Sequence, residues 1–199
     1  MRNDKGQLEE TLCRECKGSG KRWGLKAGTG SMGGGLPMAV GFALSKKLKG
    51  EEGKVYVLMS DGEMRCGTTW ECALIAAQHE LDNLVVIVDY NKFQAMGKTN
   101  EILNIEPLYK KWNMFGWCWQ DINGHNLIYS EISKKQSVME AIDAPNIKNK
   151  PQVIIAHTIK GSGGGTACNV FENKLEWHYR HVDEETYKTA IKLLSQEKV

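Results

Sequence analysis

The chain has 199 residues, with 26 lysines and arginines against 24 aspartates and glutamates, and a formal net charge of +2. This length suits one domain with a substantial buried core, and the interspersed charges argue against a dedicated nucleic-acid surface. No stretch approaches a membrane span and the polar N-terminus leads into no apolar signal core, so we expect a cytoplasmic protein.

Residues 1–26 form a polar segment without clear periodicity, and we predict only a short helical piece near residues 7–15. Among the six cysteines, only Cys13 and Cys16 have the spacing of a metal or redox pair. A structural zinc site usually needs a second such pair, which the sequence lacks, so reduced thiols without a function are the favoured interpretation. Residues 27–199 are expected to form a single domain.

A glycine-rich stretch, Thr-Gly-Ser-Met-Gly-Gly-Gly-Leu at residues 29–36, leads into a helix predicted over residues 36–48. Backbone N–H groups of such a turn, placed before a helix, can bind an anion or another ligand. Glycine also serves tight turns and close packing, so the stretch alone leaves both interpretations open.

Two short apolar runs, residues 55–59 and 84–88, are rich in β-branched residues and are each followed by polar residues. Each run predicts a buried parallel strand. Apolar residues at helical spacing over residues 68–81 predict a helix between them, which completes a strand–helix–strand unit.

Asp61 and Asn91 follow these two strands. Ligands of open α/β sheets bind outside the carboxyl ends of the strands, so the two side chains can converge there. A carboxylate and an amide carbonyl are hard oxygen ligands of the kind that Mg²⁺ prefers, and Gly62 allows the backbone to approach a phosphate. Asp-Gly and Asn are also ordinary loop residues, so the pair alone does not decide.

The remaining patterns extend the alternation of strands and helices. They predict, in order, a loop at 100–103, a helix over 106–115 with Pro107 in its first turn, a strand over 117–122, a turn at 123–124, a helix over 128–143, a connector over 145–150, a strand over 152–157 and a helix over 184–195. We expect a structural role for His125. Together these elements predict an α/β fold, an open and mostly parallel sheet with helices on both faces.

Four stretches resemble the transketolase family. Residues 60–63 with 89–94 resemble its thiamine-diphosphate motif, in which Gly-Asp-Gly precedes an asparagine by about thirty residues. Residues 29–36 resemble its Thr-Gly-Ser-Leu-Gly-Gln-Gly-Leu, residues 160–163 its Lys-Gly-x-Gly, and residues 177–178 its closing Trp-His. The resemblance runs from about Ala27 to the C-terminus and implies the thiamin diphosphate-binding fold.

Thiamine diphosphate and Mg²⁺ are the cofactors that this resemblance implies. Asp61, Asn91 and the backbone carbonyl of Phe93 would hold Mg²⁺ on the cofactor diphosphate, beside Gly62.

The resemblance also implies contacts for residues elsewhere in the chain. Gly30, Ser31 and Met32 would line the aminopyrimidine side of the cofactor. Lys160 would reach the cofactor, and His178 would approach its diphosphate and the reacting centre as the catalytic residue.

Only the diphosphate-binding domain of a transketolase is covered, which implies one subunit of a split enzyme in shortened form. With a partner subunit that carries the pyrimidine-binding domain, it would transfer a two-carbon ketol unit from a ketose phosphate to an aldose. The family's cofactor-activating glutamate lies in that second domain, so the chain alone should not turn over. The family's site forms between subunits, so an oligomer is expected.

The sequence departs from the family pattern in three ways. Ser60 replaces the first glycine of Gly-Asp-Gly, Cys66 stands where the family usually has glutamate, and the first histidine is His79, so the family's early histidines are missing. Two alternatives stay open: a decarboxylating condensation like that of deoxyxylulose-phosphate synthase, and a non-catalytic cofactor-binding module that keeps the fold.

Overall fold

The computed structural model describes residues 29–125, 137–145, 147–162 and 170–196. The helical piece expected near residues 7–15, the pair Cys13 and Cys16, and residues 128–136 of a predicted helix lie outside these ranges. Within them, none of the helices is both long and apolar enough to cross a membrane.

Four parallel strands form the central sheet in the order β1-β2-β6-β5. The strands are β1 (Val55–Ser60), β2 (Leu84–Tyr90), β5 (Cys118–Asn123) and β6 (Gln152–His157). A separate antiparallel ribbon pairs β3 (Phe93–Gln94) with β4 (Gly97–Lys98). Because Ser60 pairs with Asp89, and Tyr90 with His157, the carboxyl ends of β1, β2 and β6 are level and their following residues meet at one edge.

Six α-helices flank these strands within the described residues. They are α1 (Gly35–Lys49), α2 (Gly67–Gln78), α3 (Thr99–Ile102), α4 (Leu108–Met114), α5 (Val138–Asp143) and α6 (Glu184–Gln196). The described residues also contain two short 3₁₀ helices. One follows β1 (Asp61–Arg65) and the other precedes α6 (Leu175–His178).

Side-chain alternation along the strands divides the core between the two faces of the sheet. Helices α1, α2 and α4 pack on one face, where the strand residues are Met59, Val86, Val88, Val153 and Ile155. Helix α5 packs on the other face against Val85, Ile122, Ile154 and Ala156. The predicted open, mostly parallel sheet with helices on both faces is therefore confirmed.

Aromatic side chains join α2, α4 and β5 on the first face. Trp112 and Trp117 are both fully buried, and their rings meet edge to face with centroids 4.7 Å apart. Trp70 packs against Trp112 with centroids 5.2 Å apart. The Trp117 indole N–H donates a hydrogen bond to the Ala73 carbonyl over 2.9 Å, so β5 is attached to α2 by a polar contact as well as by packing.

Three local predictions are wrong. The loop expected at 100–103 contains helix α3, because Thr99 is buried and its carbonyl accepts the Leu103 N–H in a helical turn. Pro107 precedes α4 in extended conformation instead of occupying its first turn, and Glu106 accepts the Leu108 N–H. The helix expected over 128–143 does not include Ser137, which is extended, and the described helix begins at Val138.

The start of α5 at Val138 has a clear local cause. Ser137 is extended, and its hydroxyl accepts the Glu140 N–H over 3.1 Å while the Glu140 carboxylate accepts the Ser137 N–H over 2.8 Å. This reciprocal capping box starts α5 at Val138.

Trp117 and Trp112 form a matched pair for measuring the polar contact. Replacing Trp117→Phe removes a ring and a hydrogen bond, whereas Trp112→Phe removes a ring whose N–H has no partner among the described residues. We expect Trp117→Phe to lower the free energy of unfolding by about 1 kcal/mol more than Trp112→Phe, measured by urea denaturation. An equal or larger loss in Trp112→Phe would contradict this.

Candidate functional site

Asp61 is the first residue after β1, and its side chain is fully buried. Its Oδ2 accepts the Lys92 backbone N–H over 2.8 Å and the Thr99 hydroxyl over 3.0 Å. Its Oδ1 is also buried and has no hydrogen-bond partner of acceptable geometry within the described residues.

Burial raises the pKa of Asp61 to about 6, although hydrogen bonds from Thr99 and Lys92, and the nearby Gly62 N–H, act in the opposite direction. The nearby Asp89 adds a smaller increase to this pKa. A buried carboxylate with a free oxygen is unfavourable unless a cation or a donor completes its environment. Asp61 therefore has the chemistry of a ligand for a cation.

Asn91 is held in one orientation by its neighbours. Its Nδ2 donates to Asp89 Oδ2 over 3.0 Å, and its Oδ1 accepts the Phe93 N–H over 2.9 Å. The Thr158 hydroxyl donates to the other carboxylate oxygen of Asp89. Because an ionised carboxylate only accepts, Asp89 fixes which end of the Asn91 amide carries the oxygen. Asn91 Oδ1 keeps a second lone pair.

The predicted metal ligands Asp61, Asn91 and Phe93 are brought to one edge of the sheet, where Lys92 contacts Asp61 directly. Among the described residues, no group of three His, Cys, Asp or Glu side chains could hold a metal. Mg²⁺ commonly uses one or two carboxylates together with phosphate oxygens and water. The residues present fit such an ion, and the free, buried Oδ1 of Asp61 is the observation that supports the fit.

The glycine-rich loop is attached to the Asp61 turn through Gly33. The Gly33 N–H donates to Glu63 Oε2 over 2.9 Å, and Glu63 Oε1 accepts the Ser60 N–H over 3.2 Å. The Thr68 hydroxyl donates to the Gly33 carbonyl over 3.2 Å. Both backbone groups of Gly33 are thus held by the segment that follows β1.

This attachment places the predicted pyrimidine-side residues Gly30, Ser31 and Met32 beside Gly62. The Met32 sulfur is 3.8 Å from the point that a Cβ on Gly62 would occupy. All three residues are exposed. Their contact with a cofactor remains a prediction.

A cavity of about 420 Å³ opens at the carboxyl ends of β2, β5 and β6. It is lined by Asp89, Asn91, Gly124, His125, Thr158, Ile159, Lys160, Gly161 and Ser162. Asn91 and Lys160, two of the predicted cofactor residues, therefore share one cavity. His125 Nε2 accepts the Ile159 N–H over 2.7 Å, which supports the structural role expected for His125.

Lys160 also contacts the predicted catalytic residue. Its Nζ is 3.3 Å from His178 Nδ1. A lysine ammonium only donates, so Nδ1 must accept, and the neutral imidazole carries its proton on Nε2. Partial burial and then the Lys160 charge lower the pKa of His178. The pair thus presents a cation and a neutral imidazole N–H, which together can bind an anion and exchange a proton.

Sequence reasoning missed four side chains that build this site: Glu63, Asp89, Thr99 and Thr158. Two had a usable signal. Glu63 is three residues after Ser60, which is the spacing of a capping box, and Asp89 is two residues before Asn91 on the same strand face. The contact between Thr99 and Asp61 depends on the ribbon and has no sequence signal.

Comparison with known proteins gives a consistent result. Residues 16–189 match the family described as "Transketolase, thiamine diphosphate binding domain". The chain is 38% identical over 174 residues to an apulose-4-phosphate transketolase subunit from Actinobacillus succinogenes, covering 87% of this chain and 59% of that protein. It is 37% identical over 175 residues to the 6-deoxy-6-sulfo-D-fructose transketolase subunit of a Clostridium species, again covering 87% and 59%. The chain thus spans about three fifths of these relatives.

Two solved structures are similar in fold. The transketolase from Campylobacter jejuni has a TM-score of 0.62 at 29% identity, covering 84% of this chain and 26% of that chain. The transketolase from Leishmania mexicana has a TM-score of 0.57 at 20% identity, covering 84% and 28%, and shows likeness of the fold alone.

Replacing Gly33→Ala tests the attachment of the glycine-rich loop. Gly33 has a φ of +77°, and an added Cβ would come 2.5 Å from the Thr68 hydroxyl oxygen. We expect the free energy of unfolding to fall by about 1–2 kcal/mol or more, measured by thermal unfolding. Gly35→Ala is the control. Gly35 begins α1, and an added Cβ there would make an ordinary 3.5 Å contact with Val57 of β1. An equal loss in both variants would contradict the special position of Gly33.

Replacing Lys160→Met tests the electrostatic pairing with His178. Removal of the cation should raise the pKa of His178 towards its ordinary value, while partial burial continues to hold it lower. NMR titration of the imidazole resonances, assigned with a His178→Gln variant, measures the shift. Lys188→Met in α6 is the control and should leave the pKa of His178 unchanged. A pKa that does not move in Lys160→Met would refute the pairing.

Proposed function

The chain belongs to the transketolase family through its thiamine diphosphate-binding domain, and we propose that it binds thiamine diphosphate and Mg²⁺ as one subunit of a split transketolase. With a partner subunit it transfers a two-carbon ketol unit between sugars. The observation that carries this proposal is the buried, unpartnered Oδ1 of Asp61 beside the oriented Asn91.

In this proposal the chain's own residues divide the work. Asp61, Asn91 and the Phe93 carbonyl hold the ion, and Gly62 lets the backbone approach the diphosphate. When bound, thiamine diphosphate supplies the electron sink for carbon–carbon bond chemistry.

At the other end of the site, Gly30, Ser31 and Met32 flank the pyrimidine. Lys160 supplies a cation towards anionic oxygens. His178 holds a proton on Nε2 that it can donate to an oxygen of the reacting group.

The names of the relatives support an anionic ketose as substrate. One relative is named for apulose 4-phosphate and another for 6-deoxy-6-sulfo-D-fructose. The first sugar carries a phosphate and the second a sulfonate, so both names contain an anionic group. We therefore propose a sugar phosphate or sugar sulfonate as the ketol donor or product.

Exposed apolar side chains support a partner subunit. On α1, Phe42 is 52% exposed, and on α2, Leu74 and Ile75 are 58% and 45% exposed. Helices α1 and α2 pack against each other, so these side chains lie on adjoining elements. Exposed apolar groups of this kind mark protein contacts, which fits the proposed hetero-oligomer.

The proposal is tested by thermal unfolding of the purified chain, alone and with a candidate partner subunit, with and without thiamine diphosphate and Mg²⁺. A ligand at a hundredfold excess over its Kd should stabilise the folded state by about 2.7 kcal/mol. Asp61→Asn keeps the shape of the side chain and removes its charge, so we expect it to abolish this shift without destabilising the unliganded protein.

Asp82→Asn is the control for this experiment. Asp82 precedes β2 at the opposite end of the sheet, where it accepts the Asn149 N–H, and its replacement should leave the cofactor-dependent shift intact. A shift that survives in Asp61→Asn would show that the metal assignment is wrong. If neither preparation of the wild type responds to cofactor and metal, the chain is a non-catalytic module.

A further inference from the structure

Gln94 lies in β3, three residues after Asn91, and it is only 5% exposed. Both polar atoms of its carboxamide, Oε1 and Nε2, are buried and have no hydrogen-bond partner in the described part of the chain. Glutamine is mostly found exposed, so a buried glutamine with two unused atoms needs an explanation.

Packing alone does not provide one. A carboxamide can donate two hydrogen bonds and accept two, and an interior that uses none of them is less favourable than the same volume filled by methionine or leucine. The ribbon pairs Gln94 with Gly97 through the backbone, which any residue can do. The carboxamide therefore makes no hydrogen bond with the described residues that would account for its burial.

The position of the side chain indicates what it contacts. Gln94 Cβ is 3.6 Å from the point that a Cβ on Gly62 would occupy, and the Met32 sulfur is 3.8 Å from the same point. Asp61, whose Oδ1 is the other fully buried atom without a partner here, directly precedes Gly62. Two buried polar side chains on either side of one buried glycine thus lack partners among the described residues.

A third polar group lies on the segment that contacts β3. The 3₁₀ helix Leu175–His178 packs against β3, and within it the Trp177 indole Nε1 is buried and has no partner among the described residues. The free groups are an acidic oxygen from Asp61, donors and an acceptor from Gln94, and a donor from Trp177. A cation together with an anionic oxygen ligand satisfies this combination, because the cation suits Asp61 and the anion suits the N–H groups.

We propose that Gln94 is a cofactor-positioning residue whose carboxamide Nε2 donates to a phosphate oxygen of the diphosphate bound beside Asp61 and Gly62. The inference rests on the proposed function and adds to it a residue that contacts the diphosphate of the cofactor. Gln94 and Met32 both adjoin Gly62, but Gln94 is buried next to Asp61, the carboxylate proposed to hold the metal, whereas Gly30, Ser31 and Met32 are exposed. The phosphate end is therefore chosen over the pyrimidine end for Gln94.

Gln94→Met tests this by two measurements that move in opposite directions. The unfolding midpoint of the unliganded chain should stay level or rise, because an unsatisfied buried amide is replaced by an apolar side chain of similar length. The affinity for thiamine diphosphate with Mg²⁺, and for inorganic pyrophosphate with Mg²⁺, should fall about tenfold in calorimetric titration. Gln94→Leu, a second apolar variant, repeats the test if the methionine variant does not fold.

Gln152→Met is the matched control. Gln152 is 2% exposed and begins β6 at the opposite end of the sheet, where its Nε2 donates to the Pro145 carbonyl over 3.3 Å. Its Oε1 is also buried and has no partner among the described residues, so the variant removes a comparable buried carboxamide away from the candidate site. It should leave both affinities unchanged.

The outcomes separate this inference from the proposed function. Wild-type affinity in both Gln94 variants overturns the role of Gln94 and leaves the proposed function standing. A lower midpoint of the unliganded Gln94→Met chain with unchanged affinity shows a purely structural glutamine and overturns the inference as well. No binding by the wild type, alone or with the candidate partner subunit, overturns the proposed function and this inference together.

Discussion

The carboxyl edge of the sheet depends on the two hydrogen bonds that Asp61 Oδ2 accepts from Lys92 and Thr99. They join the turn after β1 to the ribbon after β2, across 31 and 38 residues of sequence. Both donors use the same oxygen, so the other oxygen of the buried carboxylate has no hydrogen-bond partner in the part of the chain that the structure describes. An arrangement that served only to hold the ribbon could place one donor on each oxygen. The free oxygen is the part of the geometry that folding does not account for.

Glu63 shows the contrast two residues later. Its two carboxylate oxygens accept the N–H groups of Gly33 and Ser60, so both are satisfied by the backbone. One turn therefore carries two carboxylates with different roles. Glu63 attaches the glycine-rich loop, whereas Asp61 keeps one oxygen without a partner among the described residues, and this is the oxygen assigned to the metal in the proposed function. The positions of Asp61 and Glu63 relative to β1 determine which carboxylate attaches the glycine-rich loop and which one keeps an oxygen without a partner among the described residues.

The sequence predicted the strands, the main helices and the edge at which Asp61 and Asn91 meet, because these follow from apolar runs and from where the strands end. Helix α3 and the ribbon were not predictable. A four-residue helix and two-residue strands are too short to show a periodic pattern of apolar residues. The burial of Gln94 follows from the ribbon and was equally hidden. Lys160 follows β6 and His178 ends a later 3₁₀ helix, so only the family resemblance suggested that each approaches the cofactor. Their direct 3.3 Å contact was not predicted.

The side chains at the two ends of the candidate site differ in their exposure to solvent. Asp61 and Gln94, on the diphosphate side, are 0% and 5% exposed, whereas Met32 is 58% exposed and His178 is also exposed. In the proposed function, the residues assigned to metal and phosphate are thus buried, whereas those assigned to the pyrimidine and to proton transfer are exposed. Carbanion chemistry needs that end covered, since water would quench the reactive carbon. In the proposed function, the partner subunit would supply the second surface that covers this end.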